Sequence, residues 1–198
     1  MTRQEVLRAV RPAVLRDAFG RLGTGVAVVT TFDEHREPYG ATVTAFAALS
    51  VDPPLVQVTL RRTSKATRVL QSSPFAVNVL GMHQADAALH FAGRPSASAP
   101  AWAPHGGVPV LTGNAATLEC RSWNMYDGGD HVIVVGEIVA VAVGAAEPLM
   151  AQGSGLRRPG DPVRAGGGAT GAAEPANAVL WDGVGGGWFA GVGSFAPF

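Results

Sequence analysis

The sequence lacks the features that would support several broad classes of function. Its 198 residues contain a single cysteine, Cys120, which excludes an internal disulfide framework and favours a reducing, cytoplasmic compartment. Fifteen basic and fifteen acidic residues give no net charge, which argues against a general nucleic-acid binder or a polybasic membrane anchor. No apolar run approaches the roughly 18 residues of a membrane helix, and the residues after Glu5 do not predict a signal peptide.

Familiar catalytic and metal-binding motifs are also missing. The chain has neither a Gly-x-Gly-x-x-Gly nor a Gly-x-x-x-x-Gly-Lys-Ser/Thr motif after a strand, and the Gly-Thr-Gly of Gly23–Gly25 precedes a strand instead of a helix. His83 and His90 are seven residues apart without a third ligand at metal spacing, so we expect no metal site. No Ser/His/Asp set or carboxylate pair stands out, and a hydrolase is therefore not indicated.

What the sequence does contain is organised around residues 40–68. A strand pattern over Ala41–Phe46 is followed by the double proline Pro53-Pro54, and a second alternating strand pattern covers Leu55–Leu60. A Ser/Thr N-cap signal at Thr63-Ser64 then opens a short helix, predicted over 66–71, whose first turn is crowded with cations. Free helix N–H groups beside cations favour a phosphate site, although a solvated basic turn is an equal alternative.

The remaining pattern is rich in strands. Pro12 is expected to split an N-terminal helical region that ends at Gly23, and an almost wholly apolar strand should then be buried on both faces. Cys120 is expected to be a small core residue. His131 follows the polar glycine turn predicted over 124–131, where it could meet a ligand or be a turn residue capped by Asp130. The predicted strands are 25–32, 41–46, 55–60, 74–80, 115–123 and 132–141. The predicted helices are 66–71 and 82–91, the second burying Ala85, Ala88, Leu89 and Phe91. Few helices and many hairpins predict a mainly β protein, a barrel with peripheral helices.

The composition changes toward the C-terminus. Residues 153–191 are dominated by Gly, Ala and Pro, a composition that buries too little apolar surface to form a core, yet aromatic residues close the chain. We therefore predict a domain over 1–150 and a Gly/Ala/Pro-rich extension over 151–198.

Seven segments in order resemble the short-chain flavin reductases, the reductase partners of two-component flavin monooxygenases. Each segment is weak alone, but the order and similar spacing make the resemblance specific from about Ala18 to Met150. The segments are Phe19–Val26 with Val28–Thr31, Gly40–Phe46 with Leu49-Ser50, Asp52–Leu55, Thr63-Ser64 with Thr67, Phe75–Leu80, Leu118–Cys120 and Gly129–His131.

The resemblance implies an FMN-binding split β-barrel, usually a homodimer, that reduces FMN or FAD with NADH or NADPH and supplies a partner monooxygenase. It implies that the isoalloxazine and ribityl chain contact Thr30, Thr31, Val43, Thr44, Ala45, Phe46, Ala47 and Ser50, largely through the backbone. Ser64, Lys65 and Arg68 would hold the flavin phosphate, and His131 would position the nicotinamide. Many members of the family have Ser at the position of Ala45, and tyrosine in the segment that here reads Ala151–Arg158.

Two alternatives to a flavin reductase are open at this point. One is a flavin-binding protein of the same fold with a different reaction on a natural-product-like substrate. The other is a non-catalytic binding module on the same barrel. The sequence does not discriminate between FMN and FAD, or between NADH and NADPH.

Overall fold

The structure is a computed structural model, and it describes residues 11–94, 100–103 and 107–161. The helices are α1 (Pro12–Phe19), α2 (Lys65–Leu70) and α3 (Ala85–Phe91), the last preceded by a 3-10 turn, Met82–Gln84. The strands are β1 (Thr24–Gly25), β2 (Ala27–Phe32), β3 (Pro38–Val43), β4 (Phe46–Val51), β5 (Pro54–Arg61), β6 (Phe75–Val79), β7 (Trp102–Ala103), β8 (Val110–Leu111), β9 (Ala116–Gly128), β10 (His131–Val143), β11 (Met150–Gln152) and β12 (Gly155–Arg157). None of the helices in these ranges is long and apolar enough to cross a membrane.

The main sheet is forced to close on itself by its connectivity. Its seven antiparallel strands run in the order β3-β2-β6-β9-β10-β5-β4, so β3 and β4 are the two edges. A flat sheet would separate those edges by about 29 Å, six spacings of about 4.8 Å. Only Thr44 and Ala45 connect β3 to β4, and three peptide links span about 11 Å at most. The sheet must therefore curl into a barrel that is split between β3 and β4, which confirms the predicted mainly β barrel with peripheral helices.

Strand β2 is buried on both faces, as its apolar sequence predicted. Ala27 and Val29 belong to the core inside the barrel. Val26, just before β2, and Val28 belong to a second core between the barrel and its peripheral elements. The barrel core also contains Val43, Val56, Val58, Leu60, Ala66, Leu70, Phe75, Val77, Cys120, Val132 and Val134, and the second core contains Leu80, Ala88, Leu111 and Leu149.

Cys120 is a core residue, as predicted. Its exposed fraction is 2%, and burial raises the pKa of the thiol to about 12, with the charge of Glu119 adding to the effect. The neutral thiol is a poor nucleophile, because the thiolate is the reactive form.

The structure differs from the sequence-based boundaries in several places. The strand predicted over 41–46 is interrupted at Thr44-Ala45, where the chain must turn from one edge of the barrel to the other. The turn predicted over 124–131 is mostly strand, because β9 continues to Gly128 and leaves only Gly129 and Asp130 in the turn. Ala88 is the one buried residue of α3; Leu89, predicted to be buried, is 37% exposed.

The two ends of the described chain lie side by side. Pro12 begins α1, which ends at Phe19, four residues before the stop predicted at Gly23; the helical pattern before Pro12 lies mostly outside the described residues. Strand β11 crosses the boundary predicted at residue 150 and pairs with β1, Ala151 facing Thr24. The aromatic end of the predicted extension lies outside the described residues.

Candidate active site

Two cavities meet at the split between β3 and β4. The first, here called the Ser64 cavity, has a volume of about 440 Å³. The second, the Phe46 cavity, has a volume of about 530 Å³ and also contacts Ala47. Both are lined by Thr44, Ala45 and Thr59, so they adjoin at the connection between the two edge strands. Their sizes are those of cofactor and small-molecule sites.

The backbone at this junction has unused hydrogen-bonding capacity. The carbonyl of Ala45 accepts a hydrogen bond from the N–H of Thr59 at 2.8 Å. Within the described ranges, the N–H groups of Thr44 and Ala45 have no protein acceptor, because both residues lie outside the ladders of β3 and β4. Two adjacent free N–H donors on a cavity wall can recognise the carbonyl oxygens and ring nitrogens of a flat heterocycle.

The far end of the Ser64 cavity is polar and begins at helix α2. The Ser64 hydroxyl caps this helix by accepting the N–H of Thr67 at 3.1 Å, so the predicted Ser/Thr N-cap signal is confirmed and Ser64 is the residue that supplies it. The Thr67 hydroxyl donates to the Arg61 carbonyl at 2.7 Å, so its contact with Ser64 Oγ at 2.9 Å must have Ser64 as the donor. The Ser64 proton is thus engaged with Thr67, and a bound phosphate would have to exchange for that hydrogen bond.

Arg61 and His131 stand opposite each other at the same end of this cavity. They are paired across β5 and β10, and both line the Ser64 cavity. The His131 ring is 35% exposed, and its Nδ1 lies 2.7 Å from Asp130 Oδ1. The hydrogen bond from the ring lowers the pKa of the Asp130 carboxyl below its ordinary value. A cation and an oriented imidazole therefore face the space beside Ser64.

The turn that carries His131 is fixed by the arginine that follows Arg61. The Arg62 guanidinium donates to Asp127 Oδ1 at 2.8 Å and to the Gly129 carbonyl at 3.0 and 3.2 Å. Gly129 has φ +77°, a left-handed conformation that glycine adopts without strain. The sequence indicated only a group of cations here. Because consecutive strand residues point to opposite faces, Arg61 lines the Ser64 cavity while Arg62 contacts the turn.

Lys65 lies beside the Ser64 cavity and is held by an ion pair. Its Nζ lies 2.9 Å from Asp33 Oδ2 and 5.0 Å from the ring centre of Tyr39, which lines the cavity. The Asp33 side chain is 10% exposed and that of Lys65 38%. The hydrogen bond from Lys65, assisted by the N–H groups of Glu37 and His35, lowers the pKa of Asp33 to about 2, and the same bond raises the pKa of Lys65. Both groups are charged at neutral pH.

Five residues named from the resemblance do not line these two cavities, and one of them, Lys65, lies beside the Ser64 cavity as described above. Thr30 is fully buried, and its hydroxyl donates to the Pro109 carbonyl while accepting from the Asn78 amide. Thr31 is buried and donates to the Pro74 carbonyl at 2.9 Å. Ser50 is half-buried in β4, and Arg68 lines a separate cavity with Arg62. The other named residues, Val43, Thr44, Ala45, Phe46, Ala47, Ser64 and His131, line the two cavities.

The two cavities together fit a flat ring system with a phosphorylated side chain. Val43, Ala45 and Phe91 offer an apolar wall, the free N–H groups recognise polar ring edges, and Arg61 with Ser64 suits a phosphate. No group of three or more His, Cys, Asp or Glu side chains with metal-binding geometry occurs in the described ranges.

Comparison with known proteins points to one family. Residues 19–160 match the family model described as "Flavin reductase like domain". A Rhizobium meliloti (strain 1021) protein named "Probable flavin reductase" is 40% identical over 134 residues, 65% of this chain and 43% of that protein. The "Actinorhodin polyketide dimerase" of Streptomyces coelicolor is 39% identical over 140 residues, 68% of this chain and 78% of that protein.

A solved structure supports the same fold. The NADH:FAD oxidoreductase SgcE6 of Streptomyces globisporus C-1027, "in complex with NAD and FAD fragments", superposes with a TM-score of 0.67 at 34% identity. The superposition covers 75% of this chain and 92% of that one. The chain spans less than half the length of the Rhizobium relative and most of the length of the two Streptomyces proteins.

Proposed function

Because the chain belongs to the flavin reductase-like domain family, we propose that it is an NAD(P)H:flavin oxidoreductase that reduces FMN or FAD. The observation that carries this proposal is the junction of the Ser64 and Phe46 cavities at Thr44-Ala45, with two free N–H donors on its wall. An apolar wall with polar groups at one end suits a flavin better than a compact polar substrate.

In this proposal the chain's residues bind and orient, and the bound flavin supplies the capacity to accept a hydride. The N–H groups of Thr44 and Ala45 hold the polar edge of the ring system, with Val43, Phe46 and Ala47 packing around it. Arg61 joins the predicted Ser64 and Lys65 in attracting the phosphate. Thr30, Thr31 and Ser50 act indirectly, because their contacts support the strands around the site.

His131 is proposed to position the nicotinamide. Its ring is oriented by Asp130, and its strand is fixed by the Arg62 contacts to the preceding turn. An imidazole held at the cavity mouth can orient the nicotinamide for hydride transfer to the flavin. Correct orientation of the reacting groups lowers the barrier by more than tighter binding alone. Both NADH and NADPH stay candidates. We also propose that a flavin-dependent monooxygenase accepts the reduced flavin and that the protein is cytoplasmic.

A homodimer is proposed from an exposed apolar strand end. Strand β5 pairs with β10 only as far as Glu137, while β10 continues to Val143. Val139, Val141 and Val143 project from this continuation with exposed fractions of 59%, 60% and 83%. Three valines on one strand face are a typical contact for a second copy. Val141→Lys should lower the mass measured by sedimentation equilibrium; an unchanged dimer, or a wild-type monomer, contradicts the assignment.

The enzymatic proposal is tested by NADH consumption in air. The purified protein should consume NADH, followed at about 340 nm, only when FMN or FAD is added, because the flavin is the acceptor. NADPH is compared at the same concentration, which ranks the two nicotinamides. NADH consumption that does not depend on flavin, or none with either flavin, contradicts the proposal.

A second candidate is a flavin-binding protein that acts directly on a natural-product-like substrate. The 39% identity to a protein named as a polyketide dimerase favours it. The Phe46 cavity, which contacts Ala151 and Gln152, offers space for a second organic molecule beside a flavin. Tight flavin binding without NADH-dependent reduction would support this candidate over the reductase.

A further inference from the structure

Another cavity outside the candidate active site is lined by three arginines. This arginine cavity, about 1010 Å³ in volume, lies where α1 meets the β11–β12 hairpin. Arg16 and Arg21 come from α1 and the segment after it, and Arg157 comes from β12. Among the described residues, Asp17 is the one acidic side chain that lines it, so the described lining carries three positive groups and one negative group, a net charge of +2.

Among the described residues, these three guanidinium groups have no protein partner, unlike those of Arg62 and Arg121. Arg62 and Arg121 each form an ion pair, with Asp127 and Glu137. Over the described part of the chain, Arg16, Arg21 and Arg157 form no ion pair or side-chain hydrogen bond. The whole chain is neutral, so this is a local concentration of positive charge, and like charges in one cavity are relieved by a bound anion.

The arginine cavity adjoins the candidate active site. It shares Phe19, Gly20, Gln152 and Gly153 with the Phe46 cavity, which in turn adjoins the Ser64 cavity at Thr44-Ala45. The junction is closely built: the N–H of Gly153 donates to the Gly20 carbonyl at 2.7 Å. A side chain at Gly20 would come within 3.4 Å of the Gly153 Cα. An extended ligand could therefore reach from the ring site to the arginines.

We propose that the arginine cavity binds the diphosphate of a dinucleotide whose redox-active ring occupies the active-site cavities. The inference rests on the proposed flavin reductase function and adds the group that the enzyme recognises. Guanidinium groups match phosphate oxygens with paired hydrogen bonds, and two or three of them suit a diphosphate better than a single phosphate. Nicotinamide and flavin adenine dinucleotides both carry this group, and the experiment distinguishes them.

The test removes two of the three charges. Arg21→Gln and Arg157→Gln are combined, while Arg16 is kept because a cation in the last turn of α1 stabilises that helix. Arg158→Gln is the matched control, because Arg158 is exposed and adjacent to Arg157 but does not line the cavity. Thermal denaturation checks that all variants fold like the wild type.

Two pairs of ligands give the readout. The first compares the KM of NADH with that of reduced nicotinamide mononucleotide, and the second compares the Kd of FAD with that of FMN. For the dinucleotide whose diphosphate occupies the arginine cavity, the KM or Kd should be about 10- to 100-fold higher in the double variant. The value for the corresponding mononucleotide should be unchanged. A loss confined to NADH assigns the cavity to the nicotinamide cofactor, and a loss confined to FAD assigns it to the flavin. Equal behaviour of each pair in the wild type and the double variant overturns the proposal.

ADP separates this proposal from the proposed function. ADP carries the diphosphate but no redox-active ring, so calorimetry measures its binding whether or not the protein reduces flavin. The wild type and Arg158→Gln should bind ADP, and the double variant should bind it at least tenfold more weakly. Were the protein inactive as a reductase, ADP binding that depends on Arg21 and Arg157 would still support the anion site. Absent or unchanged ADP binding would overturn the site in that case.

Discussion

The ammonium group of Lys65 lies 2.9 Å from the carboxylate of Asp33, a contact that joins the first turn of α2 to the β2–β3 hairpin. Asp33 also accepts the N–H groups of His35 and Glu37 at 2.9 and 3.1 Å, so one carboxylate organises both its own loop and the lysine. Lys65 is thereby held above the Tyr39 ring at the rim of the Ser64 cavity instead of moving freely in solvent.

Replacing Asp33 should destabilise the protein in a pH-dependent way. The pKa of Asp33 is lowered from 3.8 to about 2, so its contribution is complete above the unfolded value. It is lost as the pH falls through the folded value. Asp33→Asn should lower the melting temperature at pH 7, and the gap from the wild type should close between about pH 4 and pH 2. Glu34→Gln, at a side chain 74% exposed, is the control and should show no such gap. A gap that stays constant down to pH 2 contradicts the role of the ionised carboxylate.

Arg61 and Arg68 form a matched pair for locating the flavin phosphate. Both are exposed arginines at the ends of the same segment, but only Arg61 lines the Ser64 cavity. Arg61→Gln should weaken FMN binding by roughly 10- to 100-fold, the value of one charge-assisted hydrogen bond. Riboflavin, which has no phosphate, should bind equally to both variants. Fluorescence titration gives the dissociation constants. A larger effect of Arg68→Gln would restore the assignment made from the resemblance and move the phosphate to the other side of α2.

His131→Ala should separate nicotinamide use from flavin binding. His131 lines the Ser64 cavity, and among the described residues its ring has one side-chain hydrogen bond, to Asp130. Loss of positioning should reduce kcat/KM for NADH on the order of 10²-fold, with the FMN dissociation constant changed little. Asp130→Asn keeps the His131 ring but loosens its orientation, so its kcat/KM for NADH should lie between those of His131→Ala and the wild type. Equal losses in NADH turnover and in flavin affinity would show that His131 serves the flavin instead.

Asn78→Ala should destabilise the barrel without changing the site directly. The buried Asn78 amide donates to the Val28 carbonyl and the Thr30 hydroxyl, and its oxygen accepts from Leu111 N–H and the Asn114 amide. Truncation leaves several buried polar groups without a hydrogen-bond partner, each at a cost of about 1–3 kcal/mol. Urea denaturation should therefore show that the free energy of unfolding falls by about 3 kcal/mol or more. The exposed Asn124→Ala should stay within about 0.5 kcal/mol of the wild type. A similar small effect at Asn78 would mean that its network is dispensable.

Strand positions and one helix cap could be predicted from the sequence because they depend on local patterns. Alternation predicts β5 and β9, the apolar run predicts that β2 is buried on both faces, and the Ser/Thr signal at Thr63-Ser64 predicts the start of α2. The interruption at Thr44-Ala45 could not be predicted, since nothing in a run of Thr, Ala and Phe shows that the edges of a barrel meet there. Closure is a property of the strand order, and it creates the two free N–H groups.

The distribution of side chains around the site was also beyond local patterns. Thr30 and Thr31 belong to the family motif, but their hydroxyls donate to the backbone carbonyls of Pro109 and Pro74, which are distant in sequence. In the sequence, Arg61 is one of several cations before and within α2. Its position opposite His131 depends on the register of β5 against β10. Alternation along β5 could have singled it out only once that register was known.

The most direct test of the account is anaerobic reduction of flavin by the purified chain. NADH is added to catalytic amounts of protein with excess FMN, then with FAD, and the oxidised flavin is followed by its absorbance near about 450 nm. A flavin reductase should cause rapid loss of absorbance over many turnovers, abolished by omitting the protein and strongly slowed in His131→Ala. Flavin that binds tightly but keeps its absorbance in the presence of NADH would contradict a reductase and leave the second candidate in its place.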